Sequence, residues 1–504
     1  MKRLSPHRNT IASFGIAIGF LMFAALLGVG IGVLPTGFSA RLAILVFAVS
    51  SLFIAWAFRA NRNRVPEGLV FTGVCLLTVL SVLWPRYVYF HTAGLPGVNL
   101  LTVSTMAGLF VVVTLLVFSP RFSTGVFSVI ASANWIAKIV GVWFVWRLFA
   151  CFVGTEPVYS LLGFARELVY LSSFLLFGFV LAALPNGSTW LYRLLLLSGV
   201  AVGVAGIVEA FSQHNWFVQF ATAGEGGDQS GSLAGIAAEK IRFGAFRAQS
   251  TFDHPIVFAQ FVAALVPLAI YAIWQDKSKF WKLVALVALP VALLALLKAG
   301  SRAGHGSVLV AFALIGLVLW LRALVHGKFS KAFAIVALPA LVAGIGIAYL
   351  IIQDLALGRV QHEASSTAVR LVMLRQGIAA LEDSPLWGFG HGMALYKAGV
   401  VNVAGFATID NYLLSIALDS GYVGLALFFL FLAVFAVKSL SFAVREPGPT
   451  GLFVGACLAS VLAIMATFSV LSIPNNMTLM WLLMTATFPY LGHHATAATK
   501  PKPR

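Results

Sequence analysis

The sequence has 504 residues, 60% of them hydrophobic and 10% charged, with 33 Lys and Arg against 16 Asp and Glu for a net charge of +17. Soluble domains carry about 25% charged residues, so this composition excludes an ordinary soluble protein. Nucleic acid is not needed to explain the basic charge, because membrane insertion itself places Lys and Arg at loop ends.

A helix that spans a bilayer uses about 20 apolar residues. In chain order, hydropathy predicts spans at 11–33, 41–58, 67–84, 98–118, 124–146, 167–184 and 194–212, then at 256–274, 283–299, 305–322, 332–352, 411–438, 449–471 and 475–492. The expected fold is an all-α polytopic membrane protein with about 14 transmembrane helices, and at least about 12. The first span follows Lys2, Arg3 and Arg8 but is long and has no clear small-residue cleavage site, so it reads as a helix and not a signal peptide. The span 124–146 contains Lys138, which must snorkel, pair or face a polar cavity. Cys75, Cys151 and Cys457 show no metal-ligand spacing and read as small packing residues.

With the N terminus inside, the loops alternate so that 19 of the 33 Lys and Arg fall in short cytoplasmic segments, including Arg59, Arg62 and Arg64 and the tail Lys500, Lys502 and Arg504. This obeys the positive-inside rule, puts both termini in the cytoplasm and leaves two long polar segments outside. The expected organisation is therefore a helical scaffold at 1–212, a first long outer loop at 213–255 and central helices at 256–352. A second outer loop with a short helix follows at 353–410, then C-terminal helices at 411–492 and a basic tail at 493–504. In the second loop, Val369, Leu371, Leu374, Ile378 and Leu381 recur at helical spacing, with Ser366 or Thr367 as N-cap and Asp383-Ser384-Pro385 as the stop.

Arginines on the outer side fall outside the insertion rule. Arg242 and Arg247 precede one helix, Arg302 sits in Ala299-Gly300-Ser301-Arg302-Ala303-Gly304, and Arg370 and Arg375 lie on the loop helix. Guanidinium groups bind phosphate oxygens bidentately, so their convergence would make a phosphate or diphosphate site. Each could instead anchor a helix end among lipid headgroups.

Three segments carry a family resemblance: Phe246-Arg247-Ala248-Gln249-Ser250-Thr251-Phe252-Asp253-His254-Pro255, then Lys298-Ala299-Gly300-Ser301-Arg302-Ala303-Gly304, then the block from Arg370 onward. That block runs through Asp383-Ser384-Pro385-Leu386-Trp387-Gly388-Phe389-Gly390 and Asp410-Asn411-Tyr412-Leu413 to Asp419-Ser420-Gly421-Tyr422-Val423-Gly424. In order and spacing they resemble the O-antigen ligase and polymerase superfamily of bacterial membrane glycosyltransferases. The resemblance implies a GT-C-like architecture in the inner membrane and transfer of a glycan from an undecaprenyl-diphosphate carrier to an acceptor hydroxyl at the periplasmic face. It implies no nucleotide sugar, metal or other cofactor. Its partners would be the lipid-linked donor, a glycan acceptor and the bilayer, with a flippase and a chain-length regulator of the same pathway, and no nucleic acid.

Carried over by position, Arg247, Arg302 and Arg370 would hold the diphosphate, with Arg375 beside them. Ligases of this superfamily typically carry histidine directly before the asparagine, where this chain has Asp410. Asp410 is therefore expected as general base or acceptor-positioning group, or else as the cap of the helix starting at Asn411. The substitution favours a polymerase, with O-antigen ligase as the alternative and a transporter of glycolipid or small anion as the rival class. Secondary candidates are His254 and His391 in the loops, Asn411, Arg242, and Glu209, an acid near a helix end that could pair with Lys138.

Overall fold

The computed structural model describes residues 67–88, 99–220, 241–242, 245–327, 346, 360–401, 407–409, 411–465 and 474–492. The protein is an all-α polytopic membrane protein: eight helical stretches among these residues are long and apolar enough to cross a bilayer. The expected spans 11–33, 41–58 and nearly all of 332–352 lie outside the described residues, as does the tail 493–504.

The helices are α1 Glu67–Leu83, α2 Leu100–Phe118, α3 Pro120–Ser132, α4 Asn134–Val153, α5 Pro157–Glu167, α6 Ser173–Ala183 and α7 Gly187–Ser212. They continue with α8 Pro255–Gln275, α9 Lys279–Ala299, α10 Arg302–Val325, α11 Val360–Leu381, α12 Ala394–Ala398, α13 Tyr412–Arg445, α14 Pro449–Met465 and α15 Pro474–Leu491. Two-residue strands form two small hairpins, β1 Ile241–Arg242 with β2 Ala245–Phe246 and β3 Val400–Val401 with β4 Ala407–Thr408.

Helix starts follow capping chemistry. Asn99 Oδ1 accepts from Leu101 N (2.9 Å) ahead of α2, and Ser301 Oγ accepts from Gly304 N (3.3 Å) ahead of α10. Each satisfies a donor that the first helical turn leaves open. The central strut is α8, mostly buried between α9, α10, α14 and α7, which it meets from Tyr192 to Gly206.

Two expected spans change. The stretch 124–146 is not one helix: Pro120 opens α3, Ala133 (φ −117°, ψ 39°) breaks it, and α4 then runs from Asn134 to Val153. Lys138 thus lies in the second turn of α4 with its Nζ 5.3 Å from the Trp135 ring, not at mid-span and not beside Glu209. The stretch 167–184 begins ten residues early, at Pro157, and passes through a π-helical turn at Leu168–Ser172.

Hydrogen bonds tie the helix ends into two layers. At one end, Arg193 makes two bonds to Asp276 (2.8 and 2.7 Å), and Tyr192 Oη donates to the same carboxylate (2.7 Å). There too Arg322, near the end of α10, donates to the carbonyl of Ala443 in the last turn of α13 and to those of Glu446, Pro447 and Gly448 just beyond it. The other end is where α1, α4, α7 and α9 finish and α5, α8, α10 and α13 begin.

Candidate functional site

Two irregular segments build the centre of that second end by completing each other. The turn after α11 holds Gly388 (φ 71°) and Gly390 (φ 99°), and α13 is broken at Gly421 (φ 70°, ψ −178°). A broken helix leaves carbonyls without their intrahelical donors, which is costly in a membrane unless other groups supply them. Here Phe389 N donates to Leu418 O (2.8 Å), Gly390 N to Asp419 O (3.1 Å) and Trp146 Nε1 to Ser420 O (2.8 Å). In return Tyr422 N donates to Pro385 O (2.8 Å). A Cβ on Gly388 or Gly421 would strike the facing backbone, so glycine is required on both sides of the joint.

The joint swings His391 against the inner wall. Arg147, late in α4, binds Glu167 of α5 bidentately, Nη1 to Oε1 (2.5 Å) and Nη2 to Oε2 (2.7 Å), and its Nη2 also lies 3.0 Å from His391 Nδ1. The guanidinium stacks over Trp143 (4.6 Å) and faces Phe164 (5.3 Å). Trp143 belongs in turn to an aromatic cluster with Phe428, Phe431 and Trp481. Asp419 accepts from Gly392 N (3.0 Å) and Ala394 N (2.8 Å), fixing the end of the glycine turn. Its carboxylate and that of Glu167 stand 3.7 and 3.6 Å from His391 Nδ1. Burial and the Arg147 charge hold the His391 imidazole below its usual pKa, against the pull of Asp419 and Glu167.

These groups open on a cavity of about 370 Å³ whose polar lining includes Arg86, Arg147, Arg166, His391, Tyr412 and Asp419. Arg147 is neutralised by Glu167, whereas Arg166 is exposed. Near Arg86, the half-buried Asp253 carboxyl is pushed above its usual range by desolvation, which the Arg86 guanidinium opposes.

The segment leading to α8 is pinned to the same end. Glu209 accepts from Gln249 N, Ser250 N and Asn215 Nδ2, Ala248 N donates to Lys298 O (3.1 Å), and Thr251 Oγ1 to Val82 O (2.9 Å). Arg247 Nε donates to Ala299 O (3.0 Å), and its side chain packs on Gly300, two residues before the half-buried Arg302. Tyr87, next to Arg86, reaches Ser250 O (3.5 Å), so this loop and the arginine cavity share a wall.

Of the expected site residues, Arg247 is thus brought to the turn that carries Arg302, and His391 becomes central. Glu209 clamps backbone amides and does not pair with Lys138. His254 caps α8 through Nδ1, which accepts from Ile256 N (3.1 Å). The cap of α13 is Asn411, whose Oδ1 accepts from Leu414 N (3.2 Å), and not Asp410. Asp410 and the side chains of Arg242 and Arg370 lie outside the described residues. Arg375 is exposed on α11, which docks on the start of α13 through Gly377 and Leu381. That helix begins at least as early as Val360, so Ser366 and Thr367 lie inside it, and it buries Met373 and Leu381 while Leu371, Leu374 and Ile378 stay exposed.

Arg147, Glu167, Asp419, Arg86 and Arg166 were not anticipated as site residues. The available signal was a pair of opposite charges inside apolar stretches, which is rare without function. Ending one span at 146 and starting the next at 167 put both members at helix edges and hid it.

Residues 288–429 match the family model described as O-antigen ligase. The match runs from within α9 through the Arg302 turn and the glycine turn to just past the break in α13, and supports a place for the chain in the O-antigen ligase and polymerase superfamily. No curated protein matches the chain.

Proposed function

We propose that the protein is a glycosyltransferase that lengthens lipid-linked oligosaccharides at the periplasmic face of a bacterial inner membrane, using an undecaprenyl-diphosphate donor. The observation that carries this reading is the meeting of Arg247 with the turn of Arg302, beside an arginine-lined cavity of about 370 Å³ that is walled partly by the matched segment. An oxygen-rich polyanion needs fixed cationic donors, and a site partly shielded from water strengthens them.

In the proposed reaction an acceptor sugar hydroxyl attacks the anomeric carbon of the donor glycan. The new C–O bond forms as the bond to the diphosphate breaks, and the diphosphate leaves with the electron pair. Arg302 and Arg370, assisted by Arg247 and Arg375, stabilise the charge that grows on it. Asp410 accepts the hydroxyl proton or positions the acceptor. Its replacement of the ligase histidine favours another lipid-linked unit as acceptor. The basic loops favour cytoplasmic termini, and the Lys277, Lys279 and Lys282 cluster lies at the end opposite the cavity.

The test is transfer by purified protein in liposomes supplied with one lipid-diphosphate repeat unit as both donor and acceptor. A ladder of longer lipid-linked products is expected. Products formed only after adding lipid A-core would instead make it a ligase. Translocation with no covalent product under any acceptor condition would overturn the enzyme reading.

A further inference from the structure

We propose that His391 serves the glycosyl transfer inferred above as a neutral hydrogen-bond donor, offering its Nε2–H to a substrate oxygen, with its tautomer set by Arg147. The inference rests on that functional reading for the ligand and on the local geometry for the state of the ring.

Arginine stays protonated in proteins, so Arg147 Nη2 has two hydrogens to place. One goes to Glu167 Oε2 at 2.7 Å and the other faces His391 Nδ1 at 3.0 Å. Nδ1 must then be the accepting nitrogen, and a neutral ring carries its proton on Nε2. The carboxylates of Glu167 and Asp419 are too far from Nδ1, at 3.6 and 3.7 Å, to claim a proton there by hydrogen bonding. An imidazole whose Nε2 already holds a proton cannot take another from a hydroxyl at that atom, which sets His391 apart from a base.

The charged and titratable groups facing the ring come from three helices: Arg147 of α4, Glu167 of α5 and Asp419 of α13, with Arg166 and Tyr412 also on the cavity wall. Burial and Arg147 disfavour the imidazolium, so the ring remains neutral in this setting. Access comes from Gly163, which lines the cavity beside His391. A Cβ there would stand 2.9 Å from the ring's Cδ2 and 3.6 Å from Nε2. Glycine at 163 therefore leaves the Nε2 edge open, and no partner occupies that nitrogen among the described residues. An arginine-rich cavity with an uncharged imidazole donor on its wall suits an acceptor oxygen, supplied by a phosphoryl group or by a glycan hydroxyl.

Nitrogen NMR of histidine-labelled full-length protein in lipid nanodiscs, with His391→Gln for assignment, reads the ring directly. The expected result at pH 7.5 is a proton on Nε2 and none on Nδ1, and a proton on Nδ1 overturns the proposal. A response of this nitrogen to undecaprenyl diphosphate identifies a phosphoryl partner. A response only to the glycan-bearing lipid identifies a hydroxyl, and no response to either overturns the binding role. In transfer assays His391→Gln, which can present an amide N–H near the same point, should keep activity within about tenfold. His391→Ala should lose about 100-fold in kcat, the scale of one lost oxyanion donor. Equal inactivity of the two variants, with loss of the acid limb of the pH–rate profile, would mean that His391 is a base after all. If wild-type protein transfers nothing, the functional reading fails, while the NMR response to undecaprenyl diphosphate still decides whether His391 donates to a phosphoryl oxygen.

Discussion

Gly421 of α13 meets the carbonyl of Leu386 so closely that no side chain fits between them. The contact is what joins the glycine turn to the broken helix, and everything at the cavity mouth that comes from the second half of the chain hangs on it.

Gly421→Ala is expected to destabilise the protein by roughly 2–6 kcal/mol, from about 1–3 of backbone strain and about 1–3 of overpacking. Its φ of 70° with ψ of −178° is a region that only glycine occupies comfortably. Equilibrium unfolding in mixed micelles measures this. Gly73→Ala, where no atom lies within 4 Å of the added Cβ, is the control and should shift stability by no more than about 1 kcal/mol.

The Arg147–Glu167 pair is buried, so cutting one partner strands the other. Arg147→Met alone should cost about 3–5 kcal/mol, whereas Arg147→Met with Glu167→Leu should cost clearly less than the two single changes summed. A double-mutant cycle on unfolding free energies checks it. Simple additivity would mean that the two charges do not depend on each other.

For the diphosphate role, Arg302→Ala and Arg370→Ala should each lower transfer by about 100-fold or more at normal expression. Arg302→Lys should recover part of that, since lysine keeps the charge but loses the two-pronged geometry. The measurement is product length in the liposome assay; full activity in both alanine variants removes the role.

His391 also predicts a pH dependence of stability. Its folded pKa lies below the ordinary value of 6.5, so the unfolded chain binds the proton more readily. Its contribution is fully present above pH 6.5 and is lost as pH falls through that value towards the folded pKa. The unfolding midpoint of the wild type should therefore drop between pH 7.5 and 5 by more than that of His391→Gln, and identical drops would contradict the shift.

Much of this was legible in the sequence, for identifiable reasons. Apolar runs separated by Pro, Gly and basic residues mark most described helices. The glycine motifs around Gly388 and Gly421 stand out in the sequence, but their pairing does not, because it depends on the packing of the turn against the broken helix. That Arg247 and the Arg302 turn share one side of the membrane follows from the order of helix ends. The Arg147–Glu167–His391 cluster was not legible. Its members are 20 and 244 residues apart, and only packing of α4, α5 and the glycine turn brings them together. Lys138 stands out in the sequence instead because the apolar stretch 124–146 that contains it runs across the break at Ala133. Capping at Asn411 in place of Asp410 was a one-residue ambiguity, since both side chains satisfy the same turn chemistry.

Arg322 gives the arginine turn its aim. Its guanidinium grips four carbonyls at and just beyond the end of α13, while Arg302 stands at the opposite tip of the same helix. Twenty residues at 1.5 Å each make a lever of about 30 Å, along which a tilt of about 5° at the grip displaces the tip by roughly 2.6 Å. That is more than the tolerance of a bidentate contact, so in the diphosphate role proposed for Arg302 the latch at one end of the rod would set the accuracy of the contact at the other.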